Sequence, residues 1–99
     1  MGFARRVISC RVHATIRKMT PWADEMYNRL TEVMPEAKTE LLVTNKGQRI
    51  PSNLIVPIRQ VFRNSGYRCN VRGRDTIIFH DESCGLFISE GRAYFFHDA

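Results

Sequence analysis

The sequence predicts a single small α+β domain in which two helices pack on a mainly antiparallel sheet. Two segments repeat apolar residues at helical spacing, and the remaining segments alternate in polarity or form short apolar runs between turn residues. A chain of 99 residues has the length of one domain, so residues 1–99 are expected to share one core. The expected order of elements is β-α-β-α-β-β-β-β.

Residues 6–18 alternate clearly and predict the first strand. The even positions from 8 to 16 are apolar, whereas Arg11, His13 and Arg17 occupy odd positions. A helix over the same residues would leave apolar side chains on two faces beside arginines. A half-buried strand with a basic outer face is therefore the preferred interpretation.

Two helices are predicted from capping residues and apolar spacing. Thr20 can cap the first helix, a proline suits the next position, and Pro35 ends the helix. The second helix is expected to begin after Ser52 or Asn53 and to end at Gly66, which can adopt the left-handed cap conformation. The apolar positions of the two helices are Trp22, Met26, Leu30, Val33 and Met34, and Leu54, Ile58, Val61 and Phe62.

The other predicted elements are short strands. One is expected at residues 41–43, followed by a turn at Asn45-Lys46-Gly47. Four more form a meander at residues 67–72, 76–79, 86–89 and 93–97. The continuous apolar run at 76–79 predicts a central strand covered on both faces. Glu90-Gly91 predicts a hairpin turn between the last two strands.

The charges of the chain are arranged in blocks. Residues 1–20 carry five basic residues and no acid, and residues 41–74 carry seven basic residues and no acid. Residues 21–40 and 75–99 each carry five acids, against two bases and one base. Twelve of the fifteen basic residues are arginine, which pairs with phosphates and carboxylates through two parallel hydrogen bonds. This arrangement favours a binding surface for an anionic partner.

Some of these charges have local partners and others do not. Glu25 and Glu32 lie within one helical turn of Arg29, so the first helix is expected to neutralise its own charge. Arg59 and Arg63 on the second helix have no acid within one turn, and an external anion would relieve their repulsion.

The predicted function is a non-enzymatic binding protein that engages nucleic acid or a nucleoprotein complex through an arginine-rich face. Basic clustering supports this hypothesis, although no nucleic-acid-binding motif is present. Two alternatives stay open. The arginines could pair with the acidic blocks after folding, or the chain could be a small inhibitor or adaptor that docks on an acidic or nucleic-acid-binding protein surface. The candidate binding residues are Arg11, Arg17, Arg59, Arg63, Arg68, Arg72 and Arg74.

The last strand offers a further interaction hypothesis. Tyr94, Phe95 and Phe96 follow one another there, and as a sheet edge they could pair with a partner or with a second copy of the chain, although an ordinary buried strand is the preferred interpretation. The chain contains no apolar run long enough to span a bilayer and no secretory signal, so a cytoplasmic protein without a membrane partner is expected.

Enzymatic and cofactor signatures are missing from the sequence. No nucleotide-binding, hydrolase or zinc-protease motif occurs, so neither a cofactor nor a small-molecule substrate is predicted. One alternative remains at the ends of the meander strands, where His80, Cys84 and His97 are expected to meet beside Asp81 and Asp98. Such a group could bind zinc, or Cys84 with His97 could form a nucleophile and base pair, but the spacing matches no known signature.

Overall fold

The structure is a computed structural model that describes residues 21–97. It confirms the α+β class: helices pack on one antiparallel sheet of five strands, in the order β1-β5-β4-β3-β2. The predicted first strand at residues 6–18 lies outside the described residues. In chain order the elements are α1 (Pro21–Val33), α2 (Thr39–Leu42), β1 (Gln48–Arg49), a 3-10 turn (Ser52–Leu54), α3 (Ile55–Asn64), β2 (Arg68–Arg72), β3 (Asp75–Asp81), β4 (Cys84–Ser89) and β5 (Arg92–His97).

The two longer helices cover one face of the sheet and form the main core with it. Met26 and Leu30 of α1 and Ile58 and Phe62 of α3 are fully buried, as their helical spacing predicts. Full burial of side chains of this size contributes roughly 1.5–3 kcal/mol each. From the sheet, the residues of this core are Ile78, Cys84, Leu86, Ile88, Ala93 and Phe95.

The predicted strand at residues 41–43 is wrong, because this segment belongs to the short helix α2 and its end. Leu42 and Val43 are both fully buried, whereas Leu41 is 36% exposed. Two consecutive buried residues contradict the alternation of a half-buried strand, and a run of three apolar residues is too short to distinguish the two structures. The strand of this region comes later, at Gln48–Arg49, which pairs with β5.

The four-strand meander is confirmed, and its turns follow the sequence. Glu90 and Gly91 have φ angles of 52° and 77°, the backbone that a two-residue hairpin between β4 and β5 favours. The last strand, however, is not an edge, since β5 lies between β1 and β4. Phe95 and Phe96 are buried core residues, so the hypothesis of partner pairing through this strand loses its basis.

The sheet carries apolar side chains on both faces. On the face away from the helices, Ile77, Phe87 and Phe96 form a second buried cluster, with Phe79 and Tyr94 packed against it. β3 therefore contributes to both clusters, which explains its continuous apolar run and confirms the predicted central strand.

Candidate functional site

The structure brings five of the seven predicted arginines to one edge of the sheet. Among the described strands, β2 is an outer strand that pairs only with β3, and α3 packs beside it. The arginines are supplied by α3, by β2 and by the turn that follows β2. We call this set the arginine edge: Arg59, Arg63, Arg68, Arg72 and Arg74. Arg11 and Arg17 lie outside the described residues.

The arginine edge wraps around β2 and does not form one flat face. On the helix side, Arg59 Nε donates a hydrogen bond of 2.9 Å to Oγ1 of buried Thr76, and Arg63 Nη2 lies 3.4 Å from the carbonyl oxygen of Cys69. On the opposite side, the Arg68 guanidinium lies 4.1 Å from the centre of the Phe79 ring, a cation–π contact. These contacts hold three of the guanidinium groups against β2 and its neighbour β3.

The arginine edge has no carboxylate partner among residues 21–97. The ion pairs there within 4.0 Å are Arg29 with Glu32, at 3.0 Å, and His80 with Glu25, at 2.9 Å. Asp75 is the register partner of Arg72, but its carboxylate accepts a hydrogen bond from Ser89. In the described part of the chain, folding therefore leaves these five arginines without the acidic partners that the surface-pairing alternative requires.

A second group of polar side chains lines a cleft of about 640 Å³ between α1, the start of β2 and the end of β3. Oε1 of Glu25 accepts a hydrogen bond of 2.8 Å from the Tyr67 hydroxyl and lies 2.9 Å from His80 Nε2. Those two hydrogen bonds lower the pKa of Glu25. Burial and the Glu25 carboxylate raise the pKa of Tyr67 to about 12. Arg29 and Arg68 also line this cleft.

β3 contains a β-bulge beside this cleft, between Phe79 and Asp81. Phe79 pairs with Gly85 and Asp81 with Cys84, so His80 is an extra residue in β3. The bulge turns Asp81 toward Cys84, whose Sγ donates a 3.4 Å hydrogen bond to Asp81 Oδ1. The same carboxylate oxygen accepts from the backbone N–H and the hydroxyl of Ser83, and these two bonds lower the pKa of Asp81.

The predicted convergence at the strand ends is met in part. One ligand atom each from His80, Asp81 and Cys84 lies within 4.8 Å of the others, but His97 is not in this group. His97 is the register partner of Cys84 on β5, and its side chain is exposed. Asp98 lies outside the described residues.

The nucleophile hypothesis for Cys84 has little support in this geometry. Cys84 is 3% exposed, and burial followed by the hydrogen bond to Asp81 raises its pKa to about 12. A reactive cysteine needs an accessible thiolate, and Cys84 in this environment keeps its proton at neutral pH.

Sequence reasoning did not find Glu25 and Tyr67 as parts of a site. Glu25 was expected to pair with Arg29 on its own helix, whereas its partners Tyr67 and His80 lie 42 and 55 residues away along the chain. Only the expected pair of Arg29 with Glu32 forms within 4.0 Å. No local pattern signals contacts over such separations.

Comparisons with protein-family models, with curated proteins and with solved structures found no match to the chain. Within residues 21–97, none of the helices has the length and apolar character needed to cross a bilayer. The fold and the site thus define a class, a small α+β domain with a cationic sheet edge beside a polar cleft.

Proposed function

We propose that this protein binds nucleic acid without catalysis, through the phosphate groups that contact the arginine edge. The observation that carries the proposal is the concentration of five arginines around β2 with no carboxylate partner among the described residues. Guanidinium groups bind phosphate oxygens in two-point fashion, and each neutralised phosphate releases condensed counterions.

The spacing of the arginine edge suits a polyanion better than a single phosphate. Arg68 and Arg72 lie four residues apart on the same side of β2, a distance of about 13 Å along a strand. Arg74 extends this line into the turn toward β3. A row of cations of this length matches several consecutive phosphates of a nucleic-acid strand. We include Arg11 and Arg17 in the proposed binding surface on the basis of the sequence alone.

The position of Arg63 supports a charged partner rather than an additional strand that pairs with β2. Arg72 and Asp75 flank the two-residue turn as a hydrogen-bonded pair, and such pairs alternate along an antiparallel ladder. The carbonyl of Cys69, three residues before Arg72, therefore points away from β3, to the outer side of β2. The Arg63 guanidinium covers it, and a basic side chain over an edge discourages pairing with another strand.

An acidic protein surface is the second candidate partner, and Val71 favours it. Val71 lies between Arg68 and Arg72 in the sequence of β2 and is 45% exposed. An apolar side chain among arginines is typical of protein-binding surfaces. This alternative describes an inhibitor or adaptor, as the sequence also allowed.

The test is the charge reversal of Arg72→Glu with Arg74→Glu. Both side chains are exposed and make no hydrogen bond or ion pair within residues 21–97, so their loss leaves the core intact. Arg59 and Arg68 are unsuitable, because they contact Thr76 and Phe79. The nuclease-treated full chain is titrated into labelled single- and double-stranded DNA and RNA, with fluorescence anisotropy as the readout. Saturable binding is expected for the wild type and not for the variant.

The matched control is Lys46→Glu with Arg49→Glu. It makes the same charge change at exposed positions beside and on β1, the opposite outer strand of the described sheet. This control is expected to bind like the wild type. Equal losses in both variants would show that only net charge matters, and unchanged binding in both would exclude the arginine edge. Absence of wild-type binding would exclude the nucleic-acid proposal and direct the search to a protein partner, with Val71→Asp as the variant for pull-down.

A further inference from the structure

We propose that the bulge in β3 holds a Zn²⁺ ion, ligated by His80, Asp81 and Cys84. One candidate ligand atom from each residue lies within 4.8 Å of the other two. Imidazole nitrogen, carboxylate oxygen and thiolate sulfur are the three ligand types that zinc takes in proteins. The proposal is independent of nucleic-acid binding, because none of the three residues belongs to the arginine edge.

The separation of two ligand atoms already fits a tetrahedral ion. Cys84 Sγ and Asp81 Oδ1 are 3.4 Å apart, and zinc bonds of ordinary length at tetrahedral angles place such atoms about 3.5 Å apart. The His80 ligand atom lies within 4.8 Å of both, so it has to approach this pair by on the order of 1 Å. The hydrogen bond from Cys84 to Asp81 occupies the position that the ion takes.

His80 has the environment of a metal-binding histidine. Its Nε2 lies 2.9 Å from the Glu25 carboxylate, and the Tyr67 hydroxyl donates to the same carboxylate oxygen. Metal-binding histidines commonly direct one ring nitrogen to a carboxylate, which orients the ring and leaves the other nitrogen for the metal. His80 Nδ1 is buried and has no hydrogen-bond partner in the structure. Nδ1 is therefore the ligating atom.

Charge balance favours a divalent ion at this position. Zn²⁺ displaces the thiol proton of Cys84, which is released to solvent. Cys84 as thiolate and Asp81 as carboxylate then supply two negative charges, and with His80 as a neutral ligand the bound ion makes the group neutral. Three protein ligands leave the fourth position of the ion for water or another donor, as in open zinc sites.

The experiment titrates the chelator-treated full chain with Zn²⁺ and with Co²⁺, a spectroscopic substitute. Calorimetry is expected to show one ion per chain, and the Co²⁺ complex is expected to show a thiolate-to-metal charge-transfer band. Cys84→Ser and His80→Gln are expected to lose the ion. Glu25→Gln keeps all three ligands and is expected to weaken binding by about 10- to 100-fold, because it alters only the orienting partner.

The controls separate this site from other ligands in the chain. Cys69→Ser changes the thiol on β2, His97→Ala removes the histidine opposite Cys84, and Cys10→Ser with His13→Ala removes two residues outside the described part. Binding like that of the wild type is expected in all three. Loss of the ion in any of these controls, with the circular-dichroism spectrum unchanged, would overturn the assigned ligand set.

Two results with the wild type itself would overturn the proposal, even if the ligand variants fail to fold. One is the absence of stoichiometric binding of either metal. The other is a Co²⁺ complex without the thiolate charge-transfer band, which would exclude Cys84 as a ligand.

Discussion

At the scale of single residues, Glu25 connects α1 to two strands of the sheet. Its carboxylate oxygen Oε1 accepts a hydrogen bond from the hydroxyl of Tyr67, just before β2, and lies 2.9 Å from Nε2 of His80, near the end of β3. The Tyr67 ring also packs edge-on against Phe62, with 5.3 Å between ring centres. A hydrogen bond and an aromatic contact therefore both fix the position of this half-buried tyrosine.

The pKa of Tyr67 predicts a loss of stability at high pH. Burial, then the hydrogen bond to Glu25, raise this pKa to about 12, above its ordinary value of 10.0. A group whose pKa is raised on folding stabilises the protein fully below the unfolded value, and this stabilisation is lost as the pH rises through the folded value. We expect the free energy of unfolding of the metal-free protein to fall between pH 10 and 12.

Urea unfolding at pH 9 and pH 11 measures this effect. Tyr67→Phe keeps the ring but has no group to titrate, so its stability should change less between the two pH values. Tyr27→Phe is the matched control, since Tyr27 donates to the Ala37 carbonyl and has no carboxylate partner. An equal drop in wild type and in Tyr67→Phe would show that another group is responsible.

At the scale of elements, the hairpin of β3 and β4 depends on its bulge. His80 is inserted between the pairs of Phe79 with Gly85 and Asp81 with Cys84. Gly85 lies opposite the bulge, where there is no room for a side chain. A Cβ at this position would clash with the carbonyl oxygen of Ile78 and lie 2.9 Å from the Phe96 ring. The close approach of the two backbones therefore requires glycine at this position.

Gly85→Ala is expected to destabilise the protein by at least about 1–3 kcal/mol, the usual cost of inserting a methyl group into a packed region. Because the added methyl group pushes β4 away from β3, the same variant should also weaken metal binding at the bulge. Gly73→Ala is the control: its φ is +58° and its Cβ would meet nothing within 4 Å, so only the strain of the left-handed conformation is added. Chemical unfolding measures both variants, and equal losses would contradict the crowding at Gly85.

At the scale of the whole molecule, the cationic surface arises from the distribution of the charges more than from the net charge. The full chain has a formal net charge of +5, but residues 21–97 contain ten basic and nine acidic residues. The cationic character of the arginine edge thus comes from segregation, with bases around α3 and β2 and many of the acids on or just after α1.

Segregation of this kind predicts steep salt dependence. If the five arginines of the edge each neutralise one phosphate, the logarithm of the association constant should fall with the logarithm of salt concentration with a slope of about −4.5 on duplex DNA, or about −3.5 on a single strand. Neutralising these two charges instead of reversing them, in Arg72→Gln with Arg74→Gln, should leave measurable binding and reduce the magnitude of this slope by about 2. Anisotropy titrations over a salt series give these slopes. A shallow slope in the wild type would contradict a phosphate-based interface and favour the protein partner.

Local sequence patterns predicted the helices and strands that are long enough to show a regular spacing of apolar residues. α1, α3 and the meander lie where apolar spacing and turn residues placed them. The segment at 41–43 was misassigned because its apolar residues are too few to show a period. The zinc hypothesis placed His80, Asp81 and Cys84 together correctly, but it also included His97, which is not in the group.

The sequence by itself determined the α+β class, the positions of both longer helices and of the four meander strands, and the charge blocks, because each depends on residues close together in the chain. Only the tertiary structure decided that β5 lies inside the sheet, that the arginines of α3 and β2 meet at one edge, and that Glu25 reaches Tyr67 and His80. These contacts depend on strand order and on helix placement, which follow from how the whole apolar surface is buried and have no local signature.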